Sequence, residues 1–236
     1  MKKAIITVVA LFALVSVSSA ANIGTTFGAL TTAKTIQKGE LSLGGRLGLA
    51  DATSFAGSIT YGIADNADMR FQIGSLDQTA FETGLAFGGE FKWQLSKNRS
   101  ANNSRARASR RSAKSSPIDF AFGGFFEYAK LDVKGTPVII ASTSVFQIGA
   151  QLIASHTSHN KNGSSLTPYG RINVRNESLS VDLAPLVGTT FDVSASKLAM
   201  GLNGGLAYGL ASGMNLYGEF QIDGNDGFFF GIDFGI

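Results

Sequence analysis

The sequence predicts an all-β protein: a closed antiparallel, up-and-down transmembrane β-barrel of about ten strands (8–12). Three observations predict it. After residue 38, apolar residues alternate with small or polar ones over long stretches, the period of a strand with two unlike faces. The apolar faces are long, aromatic-rich and free of charge, while the opposite faces are dominated by glycine, serine, alanine and asparagine with sparse ionisable groups of both signs. Beyond the first 20 residues no stretch reaches the roughly 18 consecutive apolar residues of a membrane helix, so insertion must use strands. Composition points the same way. Of 236 residues only 16% are charged, against about 25% in soluble domains, and 29 are glycine. A hydrophobic fraction of 44% excludes a disordered polyelectrolyte, and the lack of cysteine excludes a disulfide scaffold or a cysteine nucleophile.

The elements follow in order. Residues 1–20 have the form of an export signal: Lys2 and Lys3, an apolar run over 4–15 broken only by Thr7, then Ser18 and Ala20 at the cleavage-site positions. Twelve residues are too few to span about 30 Å of hydrocarbon. Cleavage is expected after Ala20 or Ala21, leaving 21–37 as a periplasmic leader able to tuck into the lumen. The barrel domain is then 38–236, with strands near 38–50, 54–63, 68–76, 79–95, 118–131, 143–155, 166–183, 190–210, 213–222 and 228–236. Phe81, Leu85, Phe87, Phe91, Trp93 and Leu95 share one parity, with Glu82, Glu90 and Lys92 on the reverse. Between Val174 and Leu179 the parity of the apolar residues changes, which allows a bulge, a loop or an extra strand. Turn residues at 64–67, 76–78, 211–213 and 223–227 separate the runs at hairpin length, so neighbours pair antiparallel.

A soluble sandwich would need a second apolar layer to cover these faces, and no helix is there to supply it. A sheet closed on itself turns the apolar faces to lipid and satisfies every edge hydrogen bond. The lumen then holds a polar network of Arg46, Arg70, Lys92, Arg171 and Arg175 with Glu82, Glu90, Asp119, Glu127, Glu219 and Asp233. Such a mixture can pair internally, where a lone buried charge costs several kcal/mol. Tyr61, Trp93 and Tyr208 fall late in strands running the same way, as an interfacial aromatic girdle requires.

The export signal, the even strand count and the closing Phe230-Gly231-Ile232-Asp233-Phe234-Gly235-Ile236 resemble bacterial outer-membrane β-barrel proteins of the small OmpA/OmpX-like kind. Gly231, Phe234 and Ile236 fit the spacing of that family's C-terminal assembly signal, with isoleucine standing where the family has a terminal aromatic. The resemblance implies an outer-membrane location in a Gram-negative envelope. It also implies the barrel assembly machinery, outer-membrane lipid and lipopolysaccharide as partners, and both termini in the periplasm. On that topology the connections at 64–67, 96–117, 156–165 and 211–213 are periplasmic, and those at 51–53, 77–78, 132–142, 184–189 and 223–227 external.

The net charge of +3 has one source. Segment 96–117 carries Lys97, Arg99, Arg105, Arg107, Arg110, Arg111 and Lys114 with no acidic residue, and removing these seven cations turns +3 into −4. The loop has no aromatic platform, which argues against nucleic acid. It reads as a flexible basic segment, either without a specific partner or binding an anionic envelope polymer: peptidoglycan carboxylates if periplasmic, lipopolysaccharide phosphates if the strand parity is off by one. His156 and His159 form an H-x-x-H in a polar loop with no acid to orient either ring, so neither a metal site nor a catalytic base is expected there. No Ser-His-Asp grouping can be assembled. The expected protein is not an enzyme and takes no cofactor. It is a structural or envelope barrel, or a narrow porin-like passage. The alternatives are a small-molecule- or lipid-binding or adhesion barrel using 132–142 with Val138, Ile139 and Ile140, and, further off, an outer-membrane hydrolase.

Overall fold

The structure is a computed structural model, and it describes residues 24–78, 81–95, 118–132, 141–183 and 191–236. The export signal, the basic loop 96–117 and the segment 133–140 lie outside these residues. The described strands are β1 (Leu41–Ala50), β2 (Thr53–Ala64), β3 (Ala67–Asp77), β4 (Gly84–Gln94), β5 (Asp119–Asp132), β6 (Ala141–Ser155), β7 (Ser158–His159), β8 (Ser165–Leu183), β9 (Phe191–Gly209), β10 (Met214–Ile222) and β11 (Gly227–Gly235). No helix among them is long and apolar enough to cross a membrane.

Apart from β6 and β7, strands adjacent in sequence pair antiparallel, and two further pairings close the ring. β1 pairs β11 from Ser42 opposite Gly235 to Ala50 opposite Gly227, and β6 pairs β8 from Ala141 opposite Leu183 to Ser155 opposite Tyr169. The two-residue β7 only extends the hairpin at the start of β8, so ten strands form the wall. Closure leaves no wall strand with an unpaired edge, which removes the template for aggregation that an open sheet presents.

Parity decides the faces. On β2, Ser54, Ala56, Ser58 and Thr60 are buried inside, while Phe55, Ile59 and Tyr61 are exposed outside. The same division runs round the ring, with Phe122 and Phe126 outside on β5, Ile148 on β6 and Leu202 on β9. The rim bearing Ile236 also carries the turns at 65–66, 156–164 and 211–213; the opposite rim carries 51–52, 78–83 and 223–226. Near the Ile236 rim lie Tyr61, Trp93 and Tyr208, paired with Leu41, Ala67 and Leu216 and all facing outward.

Two sequence expectations are corrected. Glu82 is exposed and Phe81 is buried at 7%, the reverse of the predicted parity. The cause is local: β4 begins only at Gly84, and Phe81 N–H donates to the Gln78 carbonyl at 2.9 Å, so Phe81 and Glu82 lie ahead of the strand and do not keep its period. The parity change near Val174 is neither a bulge nor a break, because β8 keeps unbroken register with β6 and β9 along its whole length. What changes is the surroundings. Outward positions pass from Ile172 and Val174 to Asn176, Ser178 and Ser180, while inward positions pass from Asn173 and Arg175 to buried Leu179 and Val181. The inward pair joins Leu76, Phe81, Leu131, Val145 and Phe27 in an apolar cluster inside the barrel near the opposite rim.

Candidate functional site: the barrel lumen

The lumen is filled by the chain's own N-terminal leader. Residues 24–31 and Ala33 are buried, and Phe27 and Leu30 are among the most completely enclosed side chains of the protein. The segment runs from the 223–226 rim, where the Asp223 carboxylate accepts from Thr25 N–H at 3.0 Å, to the Ile236 rim, where Gly39 N–H donates to the Gly62 carbonyl at 2.8 Å. Between the rims it forms no strand, so its backbone polar groups must find partners elsewhere.

They find the ionisable side chains of the lumen. Thr26 N–H donates to Glu127 at 2.7 Å, and Ala29 and Leu30 N–H donate to the two oxygens of Glu219 at 2.7 and 2.8 Å. Ile36 N–H reaches Asp68 at 3.2 Å. In the other direction Arg70 donates to the Ala29 carbonyl at 3.0 Å, Arg46 to the Leu30 carbonyl at 3.3 Å, and the Lys92 ammonium to the carbonyls of Thr32 and Lys34 at 3.2 and 2.8 Å. Gln147 donates to the Gly24 carbonyl. Gln221 and Asn225 donate to that of Thr25 at 3.0 and 3.2 Å. Gly28 sits at φ +67°, where a Cβ would strike the Phe229 ring, and Leu30 itself takes φ +41°, held from both sides by Glu219 and Arg46.

The same side chains pair with one another. Arg46 lies 3.5 Å from Asp233, Arg70 3.3 Å from Glu90, and Lys92 3.4 Å from Asp68. Arg175, fully enclosed, bridges Glu177 at 2.6 Å and Asp223 at 3.3 Å. Glu219 also accepts from the Tyr169 hydroxyl at 2.9 Å and from Asn203 at 2.8 Å. Each ion is thus removed from water but surrounded by opposite charge or by amide dipoles, the condition under which buried charge is tolerated.

Of the predicted network, Arg46, Arg70, Glu90, Lys92, Asp119, Glu127, Arg171, Arg175, Glu219 and Asp233 all face the lumen; Glu82 does not. Asp119 stands apart from the leader and accepts from Gln94 at 3.4 Å. Among the described residues Arg171 joins no ion pair within 4 Å; its guanidinium lies 4.9 Å from the Phe125 ring centre, and its Nε and one terminal nitrogen have no hydrogen-bond partner among those residues. Three lumen carboxylates were missed. Asp68 and Glu177 share the parity of Arg70 and Arg175, so strand period alone could have found them. Asp223 sits in a turn, where period gives no signal.

Gly231, Phe234 and Ile236 lie on the last strand or just beyond it, Phe234 and Ile236 exposed outside. His156 and His159 lie at the Ile236 rim, and among the described residues no group of three His, Cys, Asp or Glu side chains could hold a metal ion. A shallow hollow of about 290 Å³, lined by Met69, Phe71, Phe91, Phe126 and Ile148 among others, opens on the apolar outer face rather than the lumen.

No family model and no curated protein matches the chain. Among solved structures it is similar to the N-terminal β-barrel domain of Pseudomonas aeruginosa OprF, at 10% identity and a TM-score of 0.35, over 85% of this chain and 100% of that one. A likeness this distant carries no functional weight, and the reading below stands on the barrel itself.

Proposed function

We propose that the protein is an outer-membrane barrel with a structural role in the cell envelope, its lumen sealed by its own leader. One observation carries the reading. The middle of the outer face is made of apolar and glycine residues without an ionisable side chain, while the arginines, the lysine and the carboxylates of the lumen point inward. A soluble protein arranges its faces the other way, and at least 30 large hydrophobic side chains left in water would form a patch far beyond the few hundred Å² that monomers tolerate. In lipid the arrangement costs nothing.

The apolar cluster inside the opposite rim supports the same reading. Where β8 rises past the hydrocarbon, its outward residues become asparagine and serine and its inward ones leucine and valine, as for a protein surface meeting water. The leader occupies the space a solute would need, so the structural role is favoured over a porin-like passage. With the Ile236 rim in the periplasm, Gln94 and Asp119, which flank the basic segment 96–117, lie on the peptidoglycan side. The other rim faces lipopolysaccharide, and the last strand faces the assembly machinery. No enzymatic step is part of the reading.

Migration on unboiled and boiled gels tests it. A barrel closed in detergent is expected to run at a different apparent mass before and after boiling. A single unchanged band, together with a monodisperse protein in buffer free of amphiphile, contradicts the proposal.

A further inference from the structure

The leader is held unlike any other part of the chain. The wall closes without it, through β1 with β11 and β6 with β8, and the leader adds no strand to the ladder. Withdrawing it would therefore break no strand pairing. Its contacts run from lumen side chains to its backbone: carboxylates take the amides of Thr25, Thr26, Ala29, Leu30 and Ile36, and cations take the carbonyls of Ala29, Leu30, Thr32 and Lys34. Residues 24–33 carry no charged side chain, so the lumen charges are matched to peptide dipoles and to each other. Only Phe27 and Leu30 fill space as large apolar side chains. Groups of both signs placed to receive these amides and carbonyls make a receptor for a non-strand backbone that turns through the left-handed region at Gly24, Gly28 and Leu30, with one aromatic anchor near the rim.

We infer that the lumen is a binding site for a polypeptide segment held by its backbone and without charge over its inner ten residues, filled in cis by residues 24–36 and able to take the same segment in trans. Tethering keeps the cis segment at high local concentration, so a free peptide competes only when the tether is cut or when it is supplied in excess. The inference needs the barrel but not the bilayer. It extends the membrane reading above, and it can fail while that reading stands.

The test uses the full chain with a protease recognition sequence inserted at Lys38, which is exposed at the Ile236 rim. The protein folds with its leader in place, is cut in detergent, and is washed. A fluorescent peptide of residues 24–36 is then added, and anisotropy and gel migration are followed together. Saturable one-to-one binding to the cut barrel, and none to the uncut one at equal concentration, is expected. A peptide N-methylated at the Ala29 and Leu30 amides should bind at least tenfold more weakly, as should the normal peptide to a Glu219→Gln barrel. Cut protein that keeps its heat-modifiable migration yet binds no peptide overturns the inference, as does equal binding of the N-methylated peptide. Loss of heat-modifiable migration in the uncut parent would instead count against the membrane reading.

Should the insertion prevent folding, Ala33→Cys in the otherwise cysteine-free chain gives a second reading, because Ala33 is fully buried. Excess 24–36 peptide is expected to raise its rate of maleimide labelling at least tenfold, and the N-methylated peptide to leave it unchanged. A rate indifferent to the normal peptide overturns the inference.

Discussion

Glu219 is the residue on which most of the lumen converges. Its two oxygens take the amides of Ala29 and Leu30, the Tyr169 hydroxyl and the Asn203 amide, all of them buried. Glu219→Ala leaves these donors without an acceptor. Each buried donor left unpaired costs about 1–3 kcal/mol, so a loss of about 3–5 kcal/mol is expected, allowing for partial relaxation. Urea unfolding in detergent, followed by Trp93 fluorescence, measures it; a loss under about 1 kcal/mol would mean that the leader is not held as described. Gly28→Ala acts on the backbone instead. At φ +67°, against the Phe229 ring and 3.1 Å from a Glu219 oxygen, an added methyl should cost about 1–3 kcal/mol while removing no charged group. Half of this residue-level site could be read from sequence. Arg46, Arg70 and Lys92 show their inward parity plainly, but each also donates to peptide carbonyls of the leader, and backbone carbonyls look alike in every sequence.

Among the elements, β8 and β9 show most clearly how solvent writes a strand. Each has 19 residues, longer than any other described strand, and the extra length lies beyond the apolar band. Lysine placed at Ile148, midway along β6 and outside, meets hydrocarbon and should cost about 2–4 kcal/mol. Lysine at Ser178, also outside but on the extended part of β8, should stay within about 0.5 kcal/mol of the parent. Urea titration of folding into lipid vesicles compares the two, and equal costs would contradict the placement of the band. Strand positions were legible because period 2 is a strong signal when one face meets a uniform solvent. The signal fails where that condition fails. In the 78–83 connection Phe81 and Glu82 exchange roles, and past Val174 the apolar residues change sides without any change in strand geometry.

At the scale of the whole molecule, the described residues cross from rim to rim eleven times: once through the lumen as the leader and ten times in the wall. Gly24 and Ile236 therefore lie at opposite rims, although the wall alone would place the ends of 38–236 together. Single cysteines at Asp51 and Ser212, both exposed and at opposite rims, should label from opposite faces of a proteoliposome with membrane-impermeant reagents. Labelling of both from one face would contradict a spanning wall. With the leader seated, the intact protein should pass no steady current in planar bilayers. Persistent open channels would show that the lumen is not sealed. The seal itself was only partly foreseeable: a glycine- and threonine-bearing leader with no charge over 24–33 can tuck inside, but nothing in its composition fixes its path.

The central claim is that hydrocarbon is the solvent of the outer face. Trp93 is the protein's one tryptophan, exposed outside near the Ile236 rim, and Ile148 sits midway along its strand. In vesicles of lipids brominated at known depths, Trp93 should be quenched most by bromines near the headgroups. In a Trp93→Phe background, Ile148→Trp should be quenched most by bromines near the bilayer centre. Fluorescence indifferent to bromine at either position would contradict the account.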